Sequence, residues 1–334
     1  MISKEYKIVV QGTKKIISYL KDNLKMPNKI FYFPKQNINY FNKIKTAEVV
    51  ITMSWGKTMW GGTDNIKIPD ARNLKLIHLP GAGIDAIDFK HVPINCRICN
   101  VYEHEIPMAE FCIGNILNWE MRLINKVNKF KNLDWSDCMI FDGPTHNELY
   151  GKTVGILGYG KIGKEISKRL KVFGVNVFAY TRTNNSKDKY LKNKFLSKEL
   201  KKTVNQLDYL IIACPLTKTT KEMVNKAVFK NMKKSSVILN VARGSIINEE
   251  DLYNALKHKE IGGAIIDTWF KYPNSKANNK FKPSKFNFNK IDNVVMTPHI
   301  SAWSEGMIKR RAKIISENIN RLYVKKKLIN EIKY

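Results

Sequence analysis

Long apolar runs are absent from this sequence. None approaches the roughly 18 residues that a membrane-spanning helix needs. The N-terminal MISKEYKIVVQG has no apolar secretory core and reads as a first strand. Both absences suit a soluble, cytoplasmic protein with no membrane partner. Cysteine is sparse: five residues, an odd number, and scattered. Cys96 and Cys99 form a CxxC, but no second pair or histidine lies at zinc spacing, so no metal site is expected and the two read as reduced structural thiols. Arginine is scarce for so basic a chain. Of 58 basic residues, 49 are lysine and 9 arginine, against 29 acidic residues and a formal net charge of +29. Nucleic-acid readers lean on arginine, whose planar fork fits phosphate and guanine. No helix-turn-helix, finger or RNP-type aromatic motif is present. The lysine excess, alongside abundant asparagine and isoleucine, reads as compositional bias on solvated faces and argues against nucleic acid as the main partner. It still draws anionic ligands towards the protein.

What remains is a globular α/β pattern. The 334 residues are enough for two domains with cores, and 43% are hydrophobic. Internal repeats and a Pro/Gly/Ser linker are both lacking. Short apolar strands at Tyr6–Val10, Val49–Thr52, Leu74–His78 and Arg97–Val101 alternate with helical patterns, the spacing of βαβ units. A long helix is expected from Ile106 to about Phe130, with Pro107 tolerated in its first turn. A second βαβ series runs from Thr153 to about Thr297, and a helix from about Ser304 to Lys326 closes the chain. The Asn/Lys-rich segment Asn274–Lys290 reads as a surface loop. Trp55 and Trp60, in the Gly-rich MSWGKTMWGG, read as packing residues of the first part.

The most informative stretch is KTVGILGYGKIGKEISKRL. A strand, Val154–Leu157, runs into Gly158-x-Gly160-x-x-Gly163, and the third glycine opens a helix with an apolar face. In that context Gly158 makes the tight turn, Gly160 lets backbone approach a pyrophosphate, and Gly163 lets helix and strand pack closely. Free N–H groups and the helix dipole then hold the anion. The following strand would end in an acid if the cofactor were NAD, the acid binding the ribose 2′-hydroxyl. Here it ends FAYTRTNNSK. Thr181 stands in the acid's place, followed by Arg182 and Thr183, and no acid precedes Asp188. An arginine without a competing carboxylate suits a 2′-phosphate, so NADP(H) is the preferred cofactor and NAD(H) the alternative.

Later strands each end at a polar or special residue: Cys214-Pro215, Arg243-Gly244, Asp267 and His299. Ligands bind outside the carboxyl ends of strands in open α/β sheets, so these residues converge on one rim. Arg243 suits a carboxylate held bidentately, with a neighbouring oxo group polarised. His299 is the natural acid/base for a hydroxyl proton near neutral pH.

With these motifs in hand, the chain resembles the D-isomer-specific 2-hydroxyacid dehydrogenases over nearly its whole length. The matching segments are GILGYGKIG, PLTKTT, LNVARGSIINEEDL, GGAIIDTW, TPHISAW and, in the first part, LPGAGIDAIDF. The resemblance implies two Rossmann-like, doubly wound parallel-sheet domains with an intervening cleft. The substrate domain, flavodoxin-like, would be 1–102 plus 299–334, and the NAD(P)-binding domain 103–298. It implies a homodimer joined through the cofactor domain and the helix of residues 106–130. It also implies roles. Backbone N–H groups of Ala82 and Gly83 would hold the substrate carboxylate with Arg243, and Lys161 and Ile162 would face the pyrophosphate. Cys214, Pro215, Val241, Ala242, Asp267 and Ala302 would line the cofactor, and His299 would move the proton as hydride is transferred. A small 2-oxo acid and its D-2-hydroxy acid are the implied substrates, glyoxylate or hydroxypyruvate first. A phosphoglycerate-type dehydrogenase and a nicotinamide-binding sensor with weakened catalysis are the alternatives.

One family feature is missing. A glutamate usually follows the strand-end aspartate by five residues and bonds the catalytic histidine; here that position is Tyr272. A carboxylate raises an imidazole's pKa and fixes its tautomer, whereas a tyrosine hydroxyl does only the second. Tyr272 bonded to His299 predicts a histidine limb shifted to lower pH. Glu103, Glu105 and Glu305 are the candidates for a substitute carboxylate, and Tyr102, Glu103 and His104 are candidates for the substrate side.

Overall fold

The computed structural model describes residues 4–57, 67–183, 188–273 and 280–334. Trp60 lies outside them. The chain divides into two compact units, Met1–Glu103 with Ser304–Tyr334, and His104–Trp303. Residues 299–303, grouped above with the substrate domain, therefore belong to the second unit.

The first unit holds a parallel sheet of β1 (Tyr6–Gln11), β2 (Asn28–Phe33), β3 (Val49–Ile51), β4 (Leu76–His78) and β5 (Arg97–Cys99), in the order β2-β1-β3-β4-β5. One face packs on helix Ile16–Asn23 and on the closing helix Glu305–Tyr323, which sends Met307, Ile308, Ala312, Ile315 and Ile319 into the core. The other buries Tyr40, Ile44 and Trp55, whose indole donates to the His91 carbonyl. Both faces are covered, as a parallel sheet requires. Arg311 of the closing helix donates to the carbonyls of Pro80 and Tyr102, pinning the ends of β4 and β5. Cys96 and Cys99 are buried, and desolvation pushes both thiols up to about 12, which leaves them chemically quiet.

The second unit holds β6 (Thr153–Leu157), β7 (Asn176–Thr181), β8 (Asn193–Leu196), β9 (Tyr209–Ile212), β10 (Val237–Asn240), β11 (Gly263–Ile266) and β12 (Val294–Met296), all parallel, in the order β12-β11-β10-β9-β6-β7-β8. The chain enters at β6, winds outwards to β8, then returns to β9 on the other side of β6. The strand order reverses between β6 and β9, where an open α/β sheet leaves its ligand crevice.

Two expectations need correction. The helix expected over 106–130 is two helices, Glu105–Met121 and Leu123–Lys131, broken at Arg122, whose φ of 51° and ψ of 35° are left-handed. The first buries Met108, Cys112 and Ile116, whereas the second buries none of its residues, so no core face holds the pair straight. The segment read as a surface loop over 274–290 is partly core. Residues 274–279 are outside the described residues, but Phe288 is fully buried, edge-on to Tyr253 and Trp269.

Candidate active site

The Gly158 loop takes the shape its residue types dictate. Gly158 has φ of +102°, and a Cβ there would lie 2.5 Å from the Cys214 nitrogen, so only glycine fits the turn from β6 beside β9. A Cβ on Gly163 would lie 2.4 Å from the Gly158 carbonyl oxygen, the close helix–strand contact expected of the third glycine. Gly160 differs: a Cβ there would meet nothing within 4 Å. It caps helix Lys161–Val172 without a side-chain hydrogen bond. First-turn N–H groups have no intrahelical acceptor, so this turn offers donors beside open space, the donor set a pyrophosphate takes.

Around the rim, β7 ends at Thr181, whose hydroxyl donates to the Thr183 carbonyl at 2.6 Å, while Arg182 is exposed. Cys214 is buried and its thiol is pushed up to about 11, so it is a wall rather than a nucleophile; Pro215 is exposed beside it. After β10 the buried Asn240 staples the turn, accepting from the Ala242 N–H and donating to the Arg243 carbonyl. Val241 and Ala242 are buried, and the Arg243 guanidinium donates to the Ala242 carbonyl at 2.8 Å. A Cβ on Gly244 would lie 2.4 Å from the Trp269 carbonyl oxygen, so glycine there lets the Arg243 turn press against the segment after β11.

That segment builds the histidine site. Asp267 is fully buried at the end of β11. Its Oδ1 accepts from the Thr297 hydroxyl at 2.6 Å and the Ile300 N–H at 2.8 Å, and its Oδ2 accepts from the Ser301 N–H at 2.9 Å. The carboxylate thus clamps both sides of His299, which sits at φ of +59°, a conformation that needs such support. The Trp269 indole donates to the Thr297 carbonyl and ties the same turn to β11. Neither Trp269 nor Thr297 stood out in the sequence as a site residue; their placement after one strand and before a Pro-His was the available signal.

Tyr272 lies 2.8 Å from His299 through its hydroxyl oxygen and Nδ1. The same oxygen accepts the Trp269 backbone N–H at 3.1 Å. The tyrosine therefore occupies the absent glutamate's position and makes its contact. Burial holds the His299 pKa below the ordinary histidine value; the Asp267 charge opposes this, and the Arg243 charge adds to it. Burial raises the Tyr272 hydroxyl, partly offset by the Trp269 N–H and Arg243. Of the three candidate substitute acids, Glu103 is bonded by Arg310 and Glu305 by the Tyr19 hydroxyl, both inside the first unit. Glu105 stands 3.9 Å from His104 at the start of its helix. In the first unit, the Ala82 carbonyl accepts from Asn100, and Gly83 is exposed. Ala302 packs at the edge of the second unit's core, next to the clamped turn.

A family model described as "D-isomer specific 2-hydroxyacid dehydrogenase, NAD binding domain" matches residues 113–301. D-3-phosphoglycerate dehydrogenase of Methanocaldococcus jannaschii is 31% identical over 293 residues, covering 84% of this chain and 50% of that protein, so the chain spans about half the length of that relative. Glyoxylate reductase of Thermococcus gammatolerans is 31% identical over 291 residues, covering 83% of this chain and 80% of that protein. A solved D-isomer specific 2-hydroxyacid dehydrogenase family protein from Aeromonas salmonicida subsp. salmonicida shares the fold with a TM-score of 0.79 at 21% identity, covering 98% of this chain and 99% of that one. With the phosphate loop, the strand-end arginine and the clamped histidine on one rim, and with these matches in sequence and fold, the chain belongs to the D-isomer specific 2-hydroxyacid dehydrogenase family.

Proposed function

We propose that this protein reduces a small 2-oxo acid, glyoxylate or hydroxypyruvate, to the D-2-hydroxy acid, with NADP(H) preferred over NAD(H). The observation that carries the reading is the His299 turn. A histidine at positive φ is clamped by a buried aspartate and contacted at Nδ1 by Tyr272, an arrangement that fixes an acid/base ring at a strand end. The bound nicotinamide would supply the hydride. The first turn after Gly160 would take its pyrophosphate, and Thr181, Arg182 and Thr183 the adenosine ribose with its 2′-phosphate. Buried hydroxyls of Thr268 and Ser301 have no hydrogen-bond partner among the described residues and flank Asp267, polar atoms suited to a bound carboxamide. Arg243 would hold the substrate carboxylate and polarise its oxo group, and His299 would supply the proton to the carbonyl oxygen.

A homodimer belongs to the same proposal. Leu123, Ile124, Phe130, Leu133, Trp135, Met139, Ile140 and Phe141 are exposed along one continuous segment, which a second copy would cover. A second substrate reading, a 3-phospho-hydroxy acid, is favoured by the phosphoglycerate dehydrogenase relative and the basic surface.

The test is the initial rate of NADPH and NADH oxidation with glyoxylate, hydroxypyruvate, pyruvate, 2-oxoglutarate and 3-phosphohydroxypyruvate, beside His299→Ala. Fast NADPH turnover with glyoxylate or hydroxypyruvate, lost in the variant, is the expected result. A preference for the phosphorylated acid would move the assignment to the second reading, and tight NADPH binding without any turnover would overturn both.

A further inference from the structure

The departure at Tyr272 has a consequence for the proton, because a phenol and a carboxylate meet an imidazole in opposite senses. A carboxylate only accepts, so it draws the ring hydrogen to Nδ1 and leaves Nε2 a base. A phenol carries its own hydrogen. The Tyr272 oxygen accepts the Trp269 N–H at 3.1 Å and lies 2.8 Å from His299 Nδ1, within reach of its hydroxyl hydrogen.

Resting on the reductase reading above, we propose that Tyr272 donates its hydroxyl hydrogen to His299 Nδ1, so that the neutral imidazole keeps its hydrogen on Nε2 and serves as a neutral donor to the substrate carbonyl. Tyr272 is then a positioning residue that favours reduction. As the carbonyl carbon gains the hydride's electron pair, the oxygen takes the proton from Nε2. Nδ1 takes the hydroxyl proton of Tyr272; the phenolate left behind then takes that proton back as Nε2 takes one from water, which restores the starting tautomer. One C–H and one O–H bond form, two electrons come from the reduced nicotinamide, and the net proton comes from solvent. A phenol is a far stronger acid than an aliphatic alcohol, so the relay runs downhill although burial raises the Tyr272 hydroxyl.

The charged and titratable groups acting on the ring are consistent with a neutral donor. Asp267 favours the charged ring, but its oxygens accept from Thr297, Ile300 and Ser301; Arg243 disfavours that charge, and Tyr272 at Nδ1 is a neutral phenol. The low-pH limb expected from the sequence then belongs to the ring's own titration, and reduction does not fade above it. Oxidation of the alcohol would start from the wrong tautomer.

The test reads the ring without substrate. Long-range 1H–15N correlation spectra of histidine-labelled full-length protein, at neutral pH and without cofactor, separate the two tautomers, and His299→Asn identifies the signal. Wild type is expected to show hydrogen on Nε2 and a hydrogen-bonded Nδ1. In Tyr272→Phe the Nδ1 resonance should move to the free-acceptor position, and in Tyr272→Glu the hydrogen should move to Nδ1. Hydrogen on Nδ1 in wild type, or an unmoved Nδ1 in the phenylalanine variant, overturns the proposal. In kinetics, wild-type kcat/KM for reduction should change less than about twofold between roughly pH 6.5 and 8.5, across which an ordinary histidine loses its charge. The glutamate variant should lose about tenfold per pH unit above its raised histidine pKa. A wild-type rate that falls tenfold per unit overturns the neutral-donor role. Absence of turnover with the expected tautomer in place would sink the proposed function while supporting the ring assignment.

Discussion

Two histidines, one in each unit, show how differently this fold uses the same side chain. His78 ends β4 in the first unit and is fully buried. Its Nδ1 donates to the Leu79 carbonyl at 3.1 Å, and its Nε2 accepts from Asn318 at 3.0 Å. Asn318 in turn exchanges two hydrogen bonds with Ile329, so His78 links the sheet to the chain's last turn. Burial lowers its pKa to about 4. His299 is half-buried, set on a strained turn, and its Nδ1 is contacted by a tyrosine rather than a backbone carbonyl. Burial favours the neutral ring in both. His78 has both nitrogens bonded inside a closed core, whereas His299 sits on a strand-end rim with a tyrosine hydroxyl at Nδ1.

Exchanging the two roles by mutation is the sharpest way to break this contrast. His299→Ala should lower kcat of reduction about 10²- to 10⁴-fold, the usual worth of a positioned acid, with little change in urea midpoint. His78→Ala should do the reverse: kcat per folded molecule unchanged, stability down about 2–4 kcal/mol, since a cavity opens and Asn318 and the Leu79 carbonyl lose partners. Unfolding curves and active-site-normalised rates check both, and a rate loss without a stability loss in His78→Ala would refute the distinction.

Asp267→Asn should fall between these extremes. It keeps an acceptor but turns an amide N–H towards a backbone N–H of the turn. A loss of about 2 kcal/mol in stability, typical of hydrogen bonds to charge, together with a tenfold or greater drop in kcat, would show that the clamp serves fold and site together. A rate unchanged within twofold would detach the clamp from catalysis.

Acid should separate the histidines by stability. In the unfolded chain His78 binds a proton near pH 6.5, while in the folded chain it does so only near pH 4. As pH falls through this window the unfolded state gains protons that the folded state refuses, so stability present above pH 6.5 is lost, on the order of 3 kcal/mol when complete. His78→Gln should lose that part of the slope when urea midpoints are measured from pH 7 to pH 4; parallel curves would exclude His78 as the source. The smallest effect is expected at the exposed end of β7, where Arg182→Asp should shift the kcat/KM ratio for NADPH over NADH by about tenfold towards NADH.

The parts of the fold legible in the sequence were those fixed by local chemistry. Central strands such as Val154–Leu157 and Ile238–Asn240 are apolar runs because both faces are covered. Two of the four edge strands, Asn28–Phe33 and Asn193–Leu196, escaped notice because a half-exposed edge needs no such run. The helix break at Arg122 escaped because an exposed helix face and a buried one share the same periodicity until packing distinguishes them. His78 passed as the last residue of a strand, since nothing in its neighbours announces that Asn318 will meet it.

Residue order was enough to read the doubly wound class, the glycine loop after Leu157, the strand-end positions of Arg243, Asp267 and His299, and the replacement of an acid by Tyr272. These follow from residue type and spacing along single strands and turns. Packing alone brought the Asp267 carboxylate onto the His299 turn, Gly244 against the Trp269 carbonyl, and the Tyr272 hydroxyl to Nδ1. Hydrogen bonds between residues some thirty positions apart depend on how neighbouring strands are ordered and how their loops fold back, a geometry that only the packed sheet fixes.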